Sequence, residues 1–259
     1  MKYLPILPML LFAVAVVPAG AQAPQVVDVP TRPGVTQRFL YLATPDAKAA
    51  VVLFAGGHGG LQIAADGSFG WGRGNFLVRS RELFAEHGLA VAVIDAPSDR
   101  QSPPFLSGHR QRPDHAADVK AVIAWLKQKS PRPVWLIGTS RGTQSVGYLA
   151  TELAEGGPDG IVLTATILTD PRGRPVPDMP LDKVRMPVLV VHHELDGCRL
   201  CLYNDMPRLM AKLASIPRKE LMAFNGGVNH GDPCEAMAYH GFNGIERDVV
   251  KSIAAWVTR

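Results

Sequence analysis

The chain is short of most residues that mark a special class of protein. Cysteine occurs three times in 259 residues, as Cys198, Cys201 and Cys234, which excludes a disulfide-dense scaffold. The Cys198/Cys201 pair has no second C-x-x-C and no spaced histidine pair to complete a zinc set. H-E-x-x-H is also missing, and His192-His193, adjacent on a strand, point to opposite faces, so no metal is expected. Charged residues make up only 19% of the chain. The net charge is +4 and the basic residues are scattered, which argues against a nucleic-acid partner. No repeat or linker divides the sequence. What is present is a hydrophobic content of 47%, enough for one α/β domain with a substantial core.

The single long apolar run lies at the start. Lys2 precedes Tyr3 to Val17, broken by Pro5 and Pro8, and then come Pro18 and Ala19-Gly20-Ala21. A basic residue, a short apolar core and an A-x-A ending read as a signal peptide over residues 1–21, cleaved after Ala21. The run is short and proline-rich for a membrane span. The expectation is a single domain over 22–259, periplasmic or secreted, with no membrane attachment after cleavage. Export permits a disulfide, and the pattern favours a bridge from one of Cys198 and Cys201 to Cys234.

Apolar, β-branched runs alternate with amphipathic stretches, which predicts a mainly parallel, doubly wound sheet with helices on both faces. Residues 26–29 and 37–43 read as a hairpin. Strands are expected at Ala50–Phe54, Leu89–Ile94, Pro133–Ile137, Gly160–Leu168, Val188–Val191 and Lys219–Phe224. Helices are expected at Asn75–His87, Ala116–Gln128, Thr143–Ala150, Asn204–Leu213 and Glu246–Val257, with a loop over Pro97–Pro113. Little sequence separates Leu168 from Val188, so there is minimal or no room for a lid domain.

The chemistry concentrates at Gly138-Thr139-Ser140-Arg141-Gly142, between a strand and a helix. G-x-S-x-G in that setting is a nucleophile elbow. The tight turn projects the Ser140 hydroxyl above the sheet, and the flanking glycines let strand and helix approach. Such a serine needs a base, an acid to orient the base, and donors for an oxyanion. Asp196, past the end of a late strand, is the candidate acid, with Glu194 and Asp170 as weaker choices. His240, just before the last helix, is the candidate base and His230 the alternative. Gly57 and Arg141 are the candidate oxyanion-hole residues, their backbone N–H groups the donors, with His58 in place of Gly57 as the other choice. Trp71, Phe76 and Phe105 are candidate pocket walls. Arg141 and Arg100 could meet an anionic substrate, although surface ion pairing is the simpler role for both.

The order of glycine loop, elbow, late aspartate and final histidine resembles the α/β-hydrolase superfamily across essentially the whole chain after the signal peptide. More narrowly, four stretches resemble segments of exported bacterial α/β-hydrolases of poorly defined substrate. These are Gly56-Gly57-His58-Gly59-Gly60-Leu61, Gly70 to Phe76, Asp95 to Gln101, and Pro233-Cys234-Glu235 with His240-Gly241-Phe242. The resemblance implies His240 rather than His230 as base and Cys198 rather than Cys201 as the partner of Cys234. Ala55 departs from the pattern, since many members carry histidine before the oxyanion glycine. The expected function is a serine hydrolase acting on a small-molecule carboxylic ester, without a cofactor. An amidase or peptidase with the same triad, or a catalytically silent binding protein on this fold, are the alternatives.

Overall fold

The structure, a computed structural model, describes residues 23–259. The expected signal peptide lies outside the described residues. Eight strands form one sheet in the order β1-β2-β4-β3-β5-β6-β7-β8. They are β1 (Gln25–Arg32), β2 (Val35–Leu42), β3 (Ala49–Phe54), β4 (Leu89–Pro97), β5 (Val134–Thr139), β6 (Gly160–Thr164), β7 (Val188–His193) and β8 (Lys219–Phe224). The β1–β2 and β2–β4 pairs are antiparallel and the others parallel. Every residue of β3 to β7 is buried, as expected of parallel strands covered on both faces. The edge strands β1 and β8 are only half-buried.

Among the described residues six helices cover the sheet: α1 (Phe76–Arg79), α2 (Arg81–Glu86), α3 (Pro113–Lys129), α4 (Gly142–Glu152), α5 (Met206–Lys212) and α6 (Glu246–Val257). One core packs α3, α4 and α5 against one face, and a second packs α1, α2 and α6 against the other. β4 and β5 lie on either side of β3. The winding therefore reverses at β3, and a crevice opens at the carboxyl ends of β3 and β5, the usual ligand position in such sheets.

Several elements differ from the sequence expectation, and β4 runs to Pro97, three residues past the expected Ile94. The helix over Asn75–His87 is two helices that share Ser80, where the backbone bends to φ −96°, ψ 3°. The strand expected over Gly160–Leu168 stops at Thr164. Ala165 turns to φ +43°, and Ile167 N–H then bonds the Thr143 hydroxyl at 3.2 Å, drawing the chain over α4. Helix α3 begins three residues before Ala116, at Pro113, because proline lacks the N–H that a first helical residue leaves unpaired. The helix expected over Asn204–Leu213 is a short 3₁₀ turn, Tyr203–Asp205, running into α5, which has Pro207 in its first turn. Between β6 and β7 there are two short 3₁₀ turns and no lid.

Candidate active site

The elbow is built by close approach. Ser140 is held at φ +52°, a left-handed conformation that costs a non-glycine residue of order 1–3 kcal/mol. A Cβ on Gly138 would lie 2.6 Å from the Gly142 backbone, and one on Gly142 would overlap the Phe54 carbonyl. Only glycine at both positions lets β5 turn directly into α4 beside β3. Thr143 locks the turn by donating from both N–H and Oγ1 to the Ser140 carbonyl, at 2.9 and 2.6 Å.

Asp196 and His240 meet across the crevice. His240 Nδ1 donates to Asp196 Oδ2 at 2.9 Å, and both side chains are buried. Asp196 Oδ1 accepts from Cys198 N–H at 2.9 Å, which fixes the carboxylate plane. With Nδ1 donating, Nε2 is the acceptor nitrogen. It is buried without a hydrogen-bond partner, in a cavity of about 300 Å³ that Ser140 also lines. A second histidine faces the same carboxylate. His192 Nε2 donates to the Cys201 carbonyl at 2.6 Å and lies 3.5 Å from Asp196 Oδ2. Burial pushes its pKa down to about 4, against the pull of Asp196, so it stays neutral. His193, on the opposite face, donates from Nε2 to the Gly226 carbonyl at 2.9 Å and stacks on Tyr239.

A disulfide joins Cys198 to Cys234 and so ties the Asp196 turn to the loop that carries His240. Cys201 is a buried free thiol whose pKa burial raises well above the usual value. Donor atoms of Cys198, Cys201 and His240 fall within 4.8 Å of one another, a grouping the sequence did not reveal. The sulfur of Cys198 is committed to the disulfide, so these residues do not make a thiolate metal set.

The other expected residues divide. His230 is exposed on the surface, where its N–H bonds the Met237 carbonyl, and it is not among the cavity's lining residues. Glu194 is exposed and accepts from Asn225, while Asp170 pairs with Arg141 at 2.9 Å. Burial raises the Asp170 pKa, but the bonds from Arg141, Arg172 N–H and Gln144 outweigh it and leave the carboxyl below its ordinary value. Arg141 is thus both next to the serine and in an ion pair. Gly56 and Gly57 both line the cavity. Gly56, in the glycine loop but not the expected donor, lies against the serine: a Cβ there would stand 3.0 Å from Ser140 Cβ. Gly57, at φ +56°, packs beneath Trp71. His58 is held between Trp71 and Phe105, with ring centroids 3.8 and 4.3 Å away, and its Nδ1 accepts from Gly60 N–H. Trp71 and Phe76 line the cavity, whereas Phe105 and Arg100 do not. Asn75 does line it, and its Oδ1 caps α1. That leaves its amide N–H₂ beside Gly56, and its place directly before the α1 apolar run was the signal available.

No protein-family model and no curated protein sequence matches the chain. Solved structures do. An esterase from Pyrococcus furiosus superimposes with a TM-score of 0.66 at 12% identity, over 92% of this chain and 91% of that one. Dienelactone hydrolase from Anabaena variabilis gives 0.60 at 16% identity, over 90% and 96%. A serine hydrolase without a lid from Xanthomonas campestris gives 0.55 at 17%, over 93% and 98%. The chain has the α/β-hydrolase fold. Four segments at the carboxyl ends of the strands bear on the crevice: the turns after β3, β5 and β7 and the loop after β8. Here those four segments carry Gly56, Ser140, Asp196 and His240.

Proposed function

We propose that this protein is an exported serine hydrolase of carboxylic esters. The observation that carries the reading is the Asp196–His240 hydrogen bond, whose free Nε2 shares a cavity with a serine held in a left-handed turn. Ser140 Oγ attacks the ester carbonyl while His240 Nε2 takes its proton. The oxyanion is stabilised by the backbone N–H of Arg141 and one from the Gly56-Gly57 turn, with the Asn75 amide in reach of the same corner. Collapse of the tetrahedral intermediate breaks the C–O bond, and His240 returns the proton to the leaving alcohol. Water then attacks the acyl-enzyme by the same route in reverse and releases the acid. Asp196 holds the imidazole in the required tautomer throughout.

Kinetics on paired substrates test the reading. The protein is expected to hydrolyse 4-nitrophenyl esters and to leave the matched 4-nitroanilides essentially untouched. Turnover of both at similar rates would assign it to amide chemistry, and turnover of neither would retire the hydrolase reading.

A further inference from the structure

A second cavity, of about 390 Å³, opens beside the first. The two share Gly57, and Arg141, the residue after the proposed nucleophile, lines the second one. Its wall carries four guanidinium groups, Arg110, Arg141, Arg172 and Arg174, against one carboxylate, Asp170. Asp170 is already engaged, by Arg141 at 2.9 Å and by the Gln144 amide at 3.0 Å. The cavity therefore has excess positive charge.

Arg110 makes the excess hard to explain as surface decoration. It is only 5% exposed, and its fork donates to neutral acceptors: Ser145 Oγ at 3.0 Å, the Ala55 carbonyl at 3.0 Å and the Gly57 carbonyl at 3.2 Å. Among the described residues no carboxylate forms an ion pair with it. Buried charges are normally paired, because an unpaired one forfeits its hydration. Burial, and then the neighbouring Arg141, push its pKa down to about 9, which still leaves it cationic at neutral pH. Arginine forks match the planar geometry of a carboxylate, and a carboxylate bound there would supply the missing counter-charge.

We infer that this cavity is the subsite for a free carboxylate on the substrate, so that the preferred esters are monoesters of short dicarboxylic acids. The inference rests on the ester-hydrolase reading and narrows it. One end of the substrate is held by the arginines while the ester carbonyl, a few bonds away, reaches Ser140 past Gly57. The arginines come from three segments: the loop before α3, the elbow between β5 and α4, and the stretch between β6 and β7 where a lid would otherwise sit, so a lid is replaced by a charged wall.

The test compares the 4-nitrophenyl monoester of glutaric acid with 4-nitrophenyl valerate, nearly the same shape without the charge. The charged ester is expected to have a kcat/KM about tenfold or more higher, carried by KM, as suits one or two charge-assisted hydrogen bonds. In R172Q/R174Q, whose substitutions lie on exposed residues, that ratio is expected to fall about tenfold. A wild-type ratio of one or less, or an unaltered ratio in the variant, overturns the inference. Calorimetric titration of Ser140→Ala with monomethyl glutarate separates the subsite from the chemistry. Arginine-dependent binding without any ester turnover in the wild type would keep the subsite and discard the esterase, whereas absence of binding would discard the subsite alone.

Discussion

His230 and His240 were both available to sequence reasoning as bases after the last strand, and what faces each of them separates the two. His240 is buried against Asp196, while His230 is exposed. His240→Ala is expected to lower kcat by about three decades or more, as loss of one member of a cooperating triad does, and His230→Ala to change it little. Steady-state kinetics of the two variants on one aryl ester check this, and a dead His230→Ala beside an active His240→Ala would reverse the assignment. Asp95 is a residue whose work could not be read from the sequence. Buried at the end of β4, its carboxylate accepts from the N–H groups of Leu61, Gln62, Ile63 and Ala96 at 2.6 to 3.1 Å, fixing the exit of the glycine loop. Asp95→Ala should cost at least about 2 kcal/mol by urea unfolding, because it orphans several buried donors at once. The positions of Ser140, Asp196 and His240 were legible because each lies in the segment that follows a strand readable from its apolar run. Gly56, Asn75 and Asp95 were not, because their roles depend on contacts between segments far apart in the chain.

At the scale of elements, the candidate site depends on how its loops are tied. The disulfide spans a sequence separation of 36 and links the turn after β7 to the loop before α6. The same loop is pinned from the other side by Arg79, which donates to the Gly241 carbonyl at 2.7 Å and pairs with Glu246 at 2.9 Å. Replacing Cys198 and Cys234 by serine should lower stability by about 3–4 kcal/mol on the chain-entropy argument. Activity should be lost at lower urea than the global transition, because Asp196 and His240 lose their register first. Activity and tryptophan fluorescence followed through one titration decide the point; coincident curves would mean the tether has no local role. Native protein should resist iodoacetamide at Cys201, since the thiol is buried and held protonated. Strand positions could be read from their apolar runs. The break at Ser80 and the end of β6 could not, since a continuous apolar stripe says nothing of a bend imposed by packing.

The whole molecule carries several histidines that burial keeps neutral. His192 is pushed down to about 4, and His115 well below its ordinary value, both chiefly by loss of hydration. Unfolded, each would bind a proton near pH 6.5. Between about 6.5 and 4 the unfolded chain thus holds more protons than the folded one, so stability falls as the pH is lowered through that window. Thermal melts from pH 7.5 to 4.5 should show Tm level at first and then declining below about 6.5; a flat profile would contradict neutral burial. The order of elements around one doubly wound sheet was legible in the alternation of strands and helices. The positive wall of the second cavity was not, because its arginines come from separate loops that only the folded sheet brings together. The proposed function turns on one hydroxyl, that of Ser140, just past the end of β5. The most direct measurement is therefore intact-mass and peptide mapping after treatment with a fluorophosphonate. The account predicts a single adduct on Ser140, absent from Ser140→Ala and strongly slowed in His240→Ala. An adduct on another residue, or undiminished ester turnover by Ser140→Ala, would contradict it.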